Sequence, residues 1–454
     1  MQSKVKALKF YSFLVIMDLA FKKGESDMKN IKEYGVIADA QTIQTTAVQS
    51  AIDDCAKNGK TLVFEKGKYI CGTLTLRDNS HIVLEEGAVI FGSEDTQDYP
   101  ENEVSFVDAV GRKRGECLVL IAKVQNVTIE GSGVICGNGA VFQGERDEVR
   151  PFLMRVVEAK NVCLKGISLT DAGAWCLHIN KSSHVDIDGI KIHSDVNANN
   201  DGIDIDSSSY ISIKNCDIVS GDDGICIKAT TLLPCEYIDV SDCRVSSNWG
   251  CFKIGTESVG DVSHVKVQNC LFYDNIGGGI KIVPTDGMNI SDVYISDIEM
   301  KNATGPIFVG LGERLRRYAG IGRDTLSTIK DVTIRNIKAD VYRAPERGLY
   351  LGEVWGHSIG GIIISGTEKN PIENLTLENI EVSLPGGVTE YEEHEVKPIG
   401  ERYPEFHVLD PVPAKGIYAR YTNNSVFKNI SLTFKEDDVR EVIFTEKCEN
   451  IDFI

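Results

Sequence analysis

The chain repeats a short pattern in which apolar and polar residues alternate and a glycine, asparagine or aspartate follows. Alternation with period two, bounded by turn residues, is typical of short β-strands. Five consecutive copies begin at residues 185, 211, 238, 265 and 293, so their spacings are 26, 27, 27 and 28. The copies are VTIEG (127–131), VCLKG (162–166), VDIDG (185–189), ISIKN (211–215), IDVSD (238–242), VKVQN (265–269), VYISD (293–297), VTIRN (332–336) and LTLEN (375–379).

A second set of short apolar strands lies between these copies, for example DGIDID (201–206) and GCFKIG (250–255). Each repeat therefore contains at least two strands, and none contains a helical pattern long enough for a βαβ crossover. The L-x-x-L-x-L consensus of leucine-rich repeats is also absent. We predict an all-β fold, a single-domain right-handed parallel β-helix in which each strand pairs with its equivalents in adjacent coils.

One amphipathic helix is predicted before the repeats begin, at residues 45–57 (TTAVQSAIDDCAK), and Gly59 follows its end. Its apolar face contains Ala47, Val48, Ala51, Ile52 and Cys55. Because the end of a solenoid exposes a sheet edge, we expect this helix to cap the N-terminal coil. The long non-repeating stretches after about residue 385 are interpreted as surface loops at the rim of a cleft.

Residues 1–27 precede the repeat-containing region and form a separate N-terminal extension in this interpretation, with residues 28–454 as the β-helix domain. The stretch 4–17 resembles a weak signal peptide and is too short to span a bilayer. Asp18 interrupts it, no small-residue cleavage site follows, and Met28 is an alternative start. We expect a cytoplasmic protein, with a periplasmic or secreted location as the alternative.

The formal charge of −19 argues against a nucleic-acid partner, since such proteins present dense lysine and arginine. An anionic sugar remains compatible, because salt screens charges beyond about 10 Å. The thirteen cysteines contain no C-x-x-C pair and therefore no zinc knuckle. Cys216, Cys243 and Cys270 are spaced by 27, which predicts one buried position in successive coils. Many unbridged thiols favour a reducing compartment.

Two segments carry candidate chemistry, NNDGIDIDSS (199–208) and SGDDGICIKA (220–229). Both place Asp-Gly-Ile before a strand, and Asp201 and Asp222 are 21 residues apart, close to one coil. Since adjacent parallel strands lie about 4.8 Å apart, Asp201, Asp222 and Asp223 are expected to converge on one surface patch. The alternative is solvated turn aspartates, because Asp-Gly is a common turn. Asp204 and Asp206 are expected on the outward face of a strand.

Carboxylates in one cluster cannot all ionise cheaply, so at least one should have a raised pKa. Glycoside hydrolysis needs one protonated acid and one ionised carboxylate. We therefore expect asparagine at any of the three positions to remove most of kcat. The fold should survive each change, because surface carboxylates contribute little to a core.

From residue 30 to about 435 the sequence resembles the polygalacturonase family of glycoside hydrolases, family 28. The matching features are the predicted cap, AWCLHI (174–179) and the two aspartate motifs with their separation. The resemblance implies that Asp222 is the general acid and that Asp201 and Asp223 position and deprotonate water, with inversion. It implies a pectic, galacturonate-containing poly- or oligosaccharide as substrate and no metal or organic cofactor.

Two positions depart from the family pattern. Trp249 stands where the family has a histidine, and it either stacks on a sugar or packs under a loop. Gly279 stands where the family has an arginine that grips galacturonate together with a lysine, here Lys281. Lys253, or the cluster of Arg314, Arg316 and Arg317, is a candidate source of the missing charge. The candidate substrate-binding residues are Asn199, Trp249, Lys253 and Lys281.

These departures favour a branched or modified pectic oligosaccharide over plain polygalacturonate. His178 lies in an apolar strand one coil before the site and is interpreted as structural. Two other functions stay open at this point. One is a β-helix polysaccharide lyase whose three aspartates hold calcium. The other is a non-catalytic carbohydrate-binding solenoid with Trp249 as its platform.

Overall fold

The protein is a right-handed parallel β-helix, as the repeat predicts. The computed structural model describes residues 27–108, 111–142, 150–342, 361–409 and 411–454. Residues 1–26, and with them the predicted N-terminal extension, lie outside the described residues. Among the described residues no helix combines the length and the apolar composition that a membrane crossing requires.

One face of the solenoid is a twelve-strand parallel sheet, which carries the candidate site. Equivalent residues stack in register from coil to coil, for example Ile203 beside Ile225 and Phe252 beside Ile280. The strands are Leu74–Thr75, Cys117–Ala122, Phe152–Val157, Leu177–Asn180, Ile203–Asp206, Ile225–Ala229, Phe252–Ser258, Ile280–Ile282, Ile307–Gly310, Ile362–Ser365, Ala414–Arg420 and Glu441–Glu446.

The remaining faces form a twenty-two-strand sheet that contains the repeat copies. Its strands are Met28–Asn30, Asp39–Ile43, Thr61–Phe64, Gly67–Cys71, His81–Leu84, Ala88–Gly92, Gln125–Gly131, Val134–Cys136, Lys160–Lys165, Ser168–Thr170, Ser183–Asp188, Lys191–Ser194, Ser209–Lys214, Asp217–Ser220, Cys235–Ser241, Arg244–Ser247, Val262–Asn275, Asn289–Ala303, Thr328–Val341, Ile372–Leu384, Thr422–Phe434 and Glu449–Phe453. A small antiparallel hairpin joins Phe106–Val107 to Lys113–Arg114.

The turn residue that closes each repeat copy has a structural reason. Gly189, Asn215 and Asp242 have φ values of 67°, 56° and 56°, in the left-handed region that favours glycine and asparagine. The polar ones also stack, since the Asn336 amide donates to Asp297 at 2.8 Å. The pattern of the sequence thus records a bend made once per coil.

The predicted cap is an α-helix with the expected bounds, Thr45–Lys57, and its buried residues include Val48, Ala51, Ile52 and Cys55. Gly59 follows with φ of 64°. Four short 3-10 helices complete the described elements, at Ile31–Tyr34, Thr96–Asp98, Gly139–Phe142 and Phe406–Leu409.

Cys216, Cys243 and Cys270 occupy one position in three successive coils, because their neighbours Asp217, Arg244 and Leu271 are in register. All three side chains are buried. All thirteen cysteines lie in the described part of the chain, and none of them forms a disulfide.

Two segments cover the outer face of the twelve-strand sheet on either side of the candidate site. On the N-terminal side, Phe106 of the hairpin stacks on Phe152 and lies against Trp175. On the C-terminal side, residues 396–409 place Val396, Ile399, Phe406 and Leu409 in a second apolar cluster with Phe308. Part of the predicted surface loop is therefore a packed cover.

Candidate active site

The three aspartates lie where two adjacent strands of the twelve-strand sheet begin. Asp201 precedes Ile203–Asp206, and Asp222 and Asp223 precede Ile225–Ala229. One oxygen from each of the three carboxyl groups lies within 4.8 Å of the other two. The structure therefore brings them into one cluster, as the spacing of the motifs predicts.

The register within the cluster differs from the one expected. Ile203 pairs with Ile225, and the Gly202 N–H donates to the Asp223 carbonyl at 2.8 Å, so Asp201 stands beside Asp223. The coil is thus 22 residues long here, whereas the sequence interpretation paired Asp201 with Asp222 and treated Asp223 as diagonal. Asp222 projects from the preceding turn position.

Burial also differs within the cluster. Asp201 and Asp223 are only 2% and 3% exposed, whereas Asp222 is half-buried. The expectation of a patch of surface carboxylates is therefore wrong for two of the three. The repeat pattern does not reveal this, because the burial arises where each carboxylate meets a lysine from a following strand.

Each buried aspartate is paired with a lysine. Lys228 Nζ donates to Asp201 Oδ2 at 2.9 Å and lies 2.9 Å from Asp204 Oδ1. Lys253 Nζ donates to Asp223 Oδ2 at 2.7 Å, and the Gly250 N–H donates to the other Asp223 oxygen at 3.2 Å. Asp201 Oδ1 is a buried acceptor without a hydrogen-bond partner among the described residues.

These surroundings separate the pKa values of the three carboxyl groups. Burial, reinforced by the charges of Asp201 and Asp223, raises the pKa of Asp222 well above its ordinary value. Burial also raises the pKa of Asp201, and the charge of Lys228 opposes that rise only in part. For Asp223, burial acts upward, but Lys253, Lys281 and Lys228 outweigh it and lower the pKa. A neutral Asp222 thus faces an ionised Asp223.

Asp222 has its own polar support on the N-terminal side. The Asn199 amide donates to Asp222 Oδ2 at 3.3 Å, and Asn199 has φ of 56°. Arg150, which is buried, donates to Asn199 Oδ1 at 2.9 Å. Arg150 orients Asn199 across 49 residues of sequence, a link that no local motif reveals.

Asp204 and Asp206 lie on the outward face of their strand, as expected, but both are fully buried. Asp206 accepts hydrogen bonds from Asn180 at 2.8 Å and from the Thr230 hydroxyl at 2.7 Å. Burial lowers the pKa of His178 to about 4, and Asp206 counteracts this effect only partly. His178 is fully enclosed under the N-terminal cover, which agrees with its structural interpretation.

The C-terminal side of the cluster is aromatic and contains residues that the sequence interpretation missed. Trp249 is half-buried, and its ring meets that of Tyr403 edge-on at 6.4 Å. The Tyr403 hydroxyl accepts from Lys253 Nζ at 2.8 Å. Lys281 donates to both oxygens of Glu405 at 2.5 Å. Tyr403 and Glu405 come from a non-repeating loop, so no signal in the repeat identifies them.

Neither candidate source of a replacement charge is unpaired. Lys253 is paired with Asp223. Arg314 makes a two-point contact with Asp286, with Nε at 2.9 Å from Oδ1 and Nη2 at 2.5 Å from Oδ2. Both side chains of that pair are buried. The hypothesis that either residue offers a charge in place of the arginine absent at Gly279 is therefore not supported by these contacts.

Comparison with known proteins agrees with this geometry. A sequence model of glycosyl hydrolases family 28 matches residues 101–393. The chain is similar to a probable polygalacturonase of Vitis vinifera, at 25% identity over 60% of this chain and 60% of that protein. The match thus spans about three-fifths of that relative's length.

Two solved structures have the same fold. A family 28 exopolygalacturonase of Yersinia enterocolitica superposes with a TM-score of 0.71, at 17% identity over 94% of this chain and 78% of that one. An exopolygalacturonase of Thermotoga maritima superposes with a TM-score of 0.65, at 18% identity over 94% and 91% of the two chains.

The fold and the site define a parallel β-helix with a three-carboxylate centre on one of its sheets. The family match covers more than half of the chain and includes all three aspartates. The chain belongs to family 28 of the glycosyl hydrolases.

Proposed function

We propose that the protein hydrolyses glycosidic bonds in a pectic, galacturonate-containing poly- or oligosaccharide. The observation that carries this proposal is the unequal protonation of Asp222 and Asp223 within one cluster. Acid–base cleavage of a glycoside needs one carboxylic acid and one carboxylate at this separation scale. Family membership supports the hydrolytic reaction.

In this mechanism Asp222 protonates the oxygen of the leaving group. Its raised pKa keeps the proton in place, and its partial exposure lets it reach a substrate. Asn199 holds the carboxyl group through the oxygen to which it donates. The acid is therefore oriented before substrate binds.

Asp223 and Asp201 orient the attacking water and accept its proton. Both oxygens of Asp223 already accept hydrogen bonds, from Lys253 and Gly250. Those bonds and its lowered pKa make it a weak nucleophile, which supports inversion over a covalent intermediate. Asp201 Oδ1 is the remaining acceptor in the cluster. The close approach of the oxygens would by itself suggest retention, since retaining pairs lie about 5 Å apart.

The test is to incubate the purified protein with a panel of pectic oligosaccharides and to follow the first product by proton NMR. We expect hydrolysis with release of the inverted anomer, and full activity after dialysis against EDTA. Chelation should have no effect because Lys228 and Lys253 already compensate the ionised carboxylates.

Each contrary outcome has a distinct meaning. A retained anomer would contradict inversion alone. An unsaturated product that absorbs in the ultraviolet, together with loss of activity in EDTA, would identify a calcium-dependent lyase. Binding of oligosaccharides without cleavage of any would identify a carbohydrate-binding solenoid.

A further inference from the structure

Residues 396–409 fix a carboxylate at the edge of the aspartate cluster. Glu405 is 4% exposed, and both of its oxygens accept from Lys281, which is fully buried. The next residue, Phe406, packs on Phe308 with ring centroids 5.1 Å apart. A Cβ at Gly278 or Gly305 would collide with the Phe406 ring, so these glycines make its seat. The position of Glu405 is therefore set by packing.

The three lysines that reach the cluster are all paired with protein carboxylates. Lys228 pairs with Asp201 and Lys253 pairs with Asp223. Lys281 lies beside Lys253 in register and pairs with Glu405. Burial lowers the pKa of Lys281, and burial raises the pKa of Glu405. Wherever their shared proton lies, the pair carries no net charge.

The surface next to this neutral pair is aromatic. Lys281 Nζ lies 5.4 Å from the centroid of the Trp249 ring, and the Tyr403 ring, 41% exposed, completes a corner with Trp249. Aromatic faces carry the negative part of the ring quadrupole. They pack well against the C–H face of a sugar and do not attract a carboxylate.

We propose that Glu405 is a specificity-determining residue. By cancelling the charge of Lys281, it makes the Trp249–Tyr403 side of the site accept an uncharged sugar unit beside the scissile bond, in place of a free uronate. That unit is either a neutral sugar or an esterified uronate. The inference rests on the proposed hydrolysis of galacturonate-containing chains and specifies which neighbouring unit they present.

The test compares kcat/KM for three oligosaccharides of equal length: oligogalacturonate, its methyl ester and an alternating galacturonate–rhamnose oligomer. The wild-type protein is expected to prefer at least one uncharged-neighbour substrate over the free acid by about tenfold or more, since an unpaired charged group costs that much. The preferred arm distinguishes the ester from the neutral sugar.

Glu405→Gln should shift the preference toward the free acid by about tenfold, because Lys281 then lacks a charged partner. The double variant Glu405→Gln with Lys281→Met should lose that shift, which a merely structural effect would not do. Glu401→Gln, an exposed glutamate on the same segment, is the matched control and should leave the ratio unchanged.

A wild-type preference for the free acid would overturn this inference and leave the proposed hydrolysis standing. An unchanged ratio in a folded Glu405→Gln would overturn it as well. If that variant does not fold, the wild-type ratio decides. Cleavage of none of the three by the wild type would contradict the proposed function itself.

Discussion

Replacing Asp222 with asparagine is expected to lower kcat by about 10³- to 10⁴-fold. The variant keeps the shape of the side chain and loses the proton that the leaving oxygen needs. The free energy of unfolding should change by less than about 1 kcal/mol, because Asp222 is half-buried and has no lysine partner among its printed contacts. Steady-state kinetics and urea denaturation measure the two effects.

The matched control for this variant is Asp217→Asn. Asp217 is a half-exposed aspartate on the twenty-two-strand sheet, paired loosely with Arg244 at 3.7 Å. Its replacement should leave kcat unchanged. An Asp222→Asn variant that retained more than about a tenth of wild-type kcat would remove Asp222 from its role as the acid.

Replacing Asp223 with asparagine is expected to damage both activity and stability. Loss of the ionised carboxylate should lower kcat by at least about 10²-fold. It also leaves Lys253 buried without its charged partner, which costs about 3–5 kcal/mol of unfolding free energy. Kinetics and thermal or urea denaturation of the same preparation test both parts.

The double variant Asp223→Asn with Lys253→Met separates the two effects. Removing the orphaned charge should restore most of the stability, whereas kcat should stay low. Equal stability of Asp223→Asn and the wild type would show that the lysine pair is not buried as the structure has it. The sequence alone predicted no stability effect here, because it treated the carboxylate as exposed.

The fold was predictable because the solenoid writes itself into the sequence once per coil. Each copy supplies two inward apolar residues and a turn residue in the left-handed region, as Asn215 and Asp242 do. The helix Thr45–Lys57 was predictable for the same kind of reason, since its apolar face repeats every three to four residues. Such signals are local and survive without knowledge of the tertiary structure.

The surroundings of the aspartates were not predictable from local signals. Glu405 contacts Lys281 across 124 residues, and Tyr403 contacts Lys253 across 150. Both lie in a segment without repeats, so neither register nor spacing relates them to the site. Phe406, whose glycine-lined seat anchors the segment, is equally invisible in the pattern.

The register of the cluster was missed for a smaller reason. Coil length varies by one or two residues along the solenoid, and a difference of one decides whether Asp222 or Asp223 stands beside Asp201. The backbone pairing resolves it, and with it the roles separate. The residue in register with Asp201 is held ionised by lysines, and the one before it reaches outward as an acid.

The pH dependence of kcat/KM tests most directly whether one aspartate holds its proton while its neighbour gives it up. Asp223, with a lowered pKa, must be ionised, so activity should fall only below the ordinary aspartate value of about 4. Asp222, with a raised pKa, must be protonated, so activity should fall on the alkaline side well above that value. A bell-shaped profile with limbs on either side is the expected result. Loss of activity as the pH rises through about 4 would show Asp222 ionised at its ordinary value and would contradict the account.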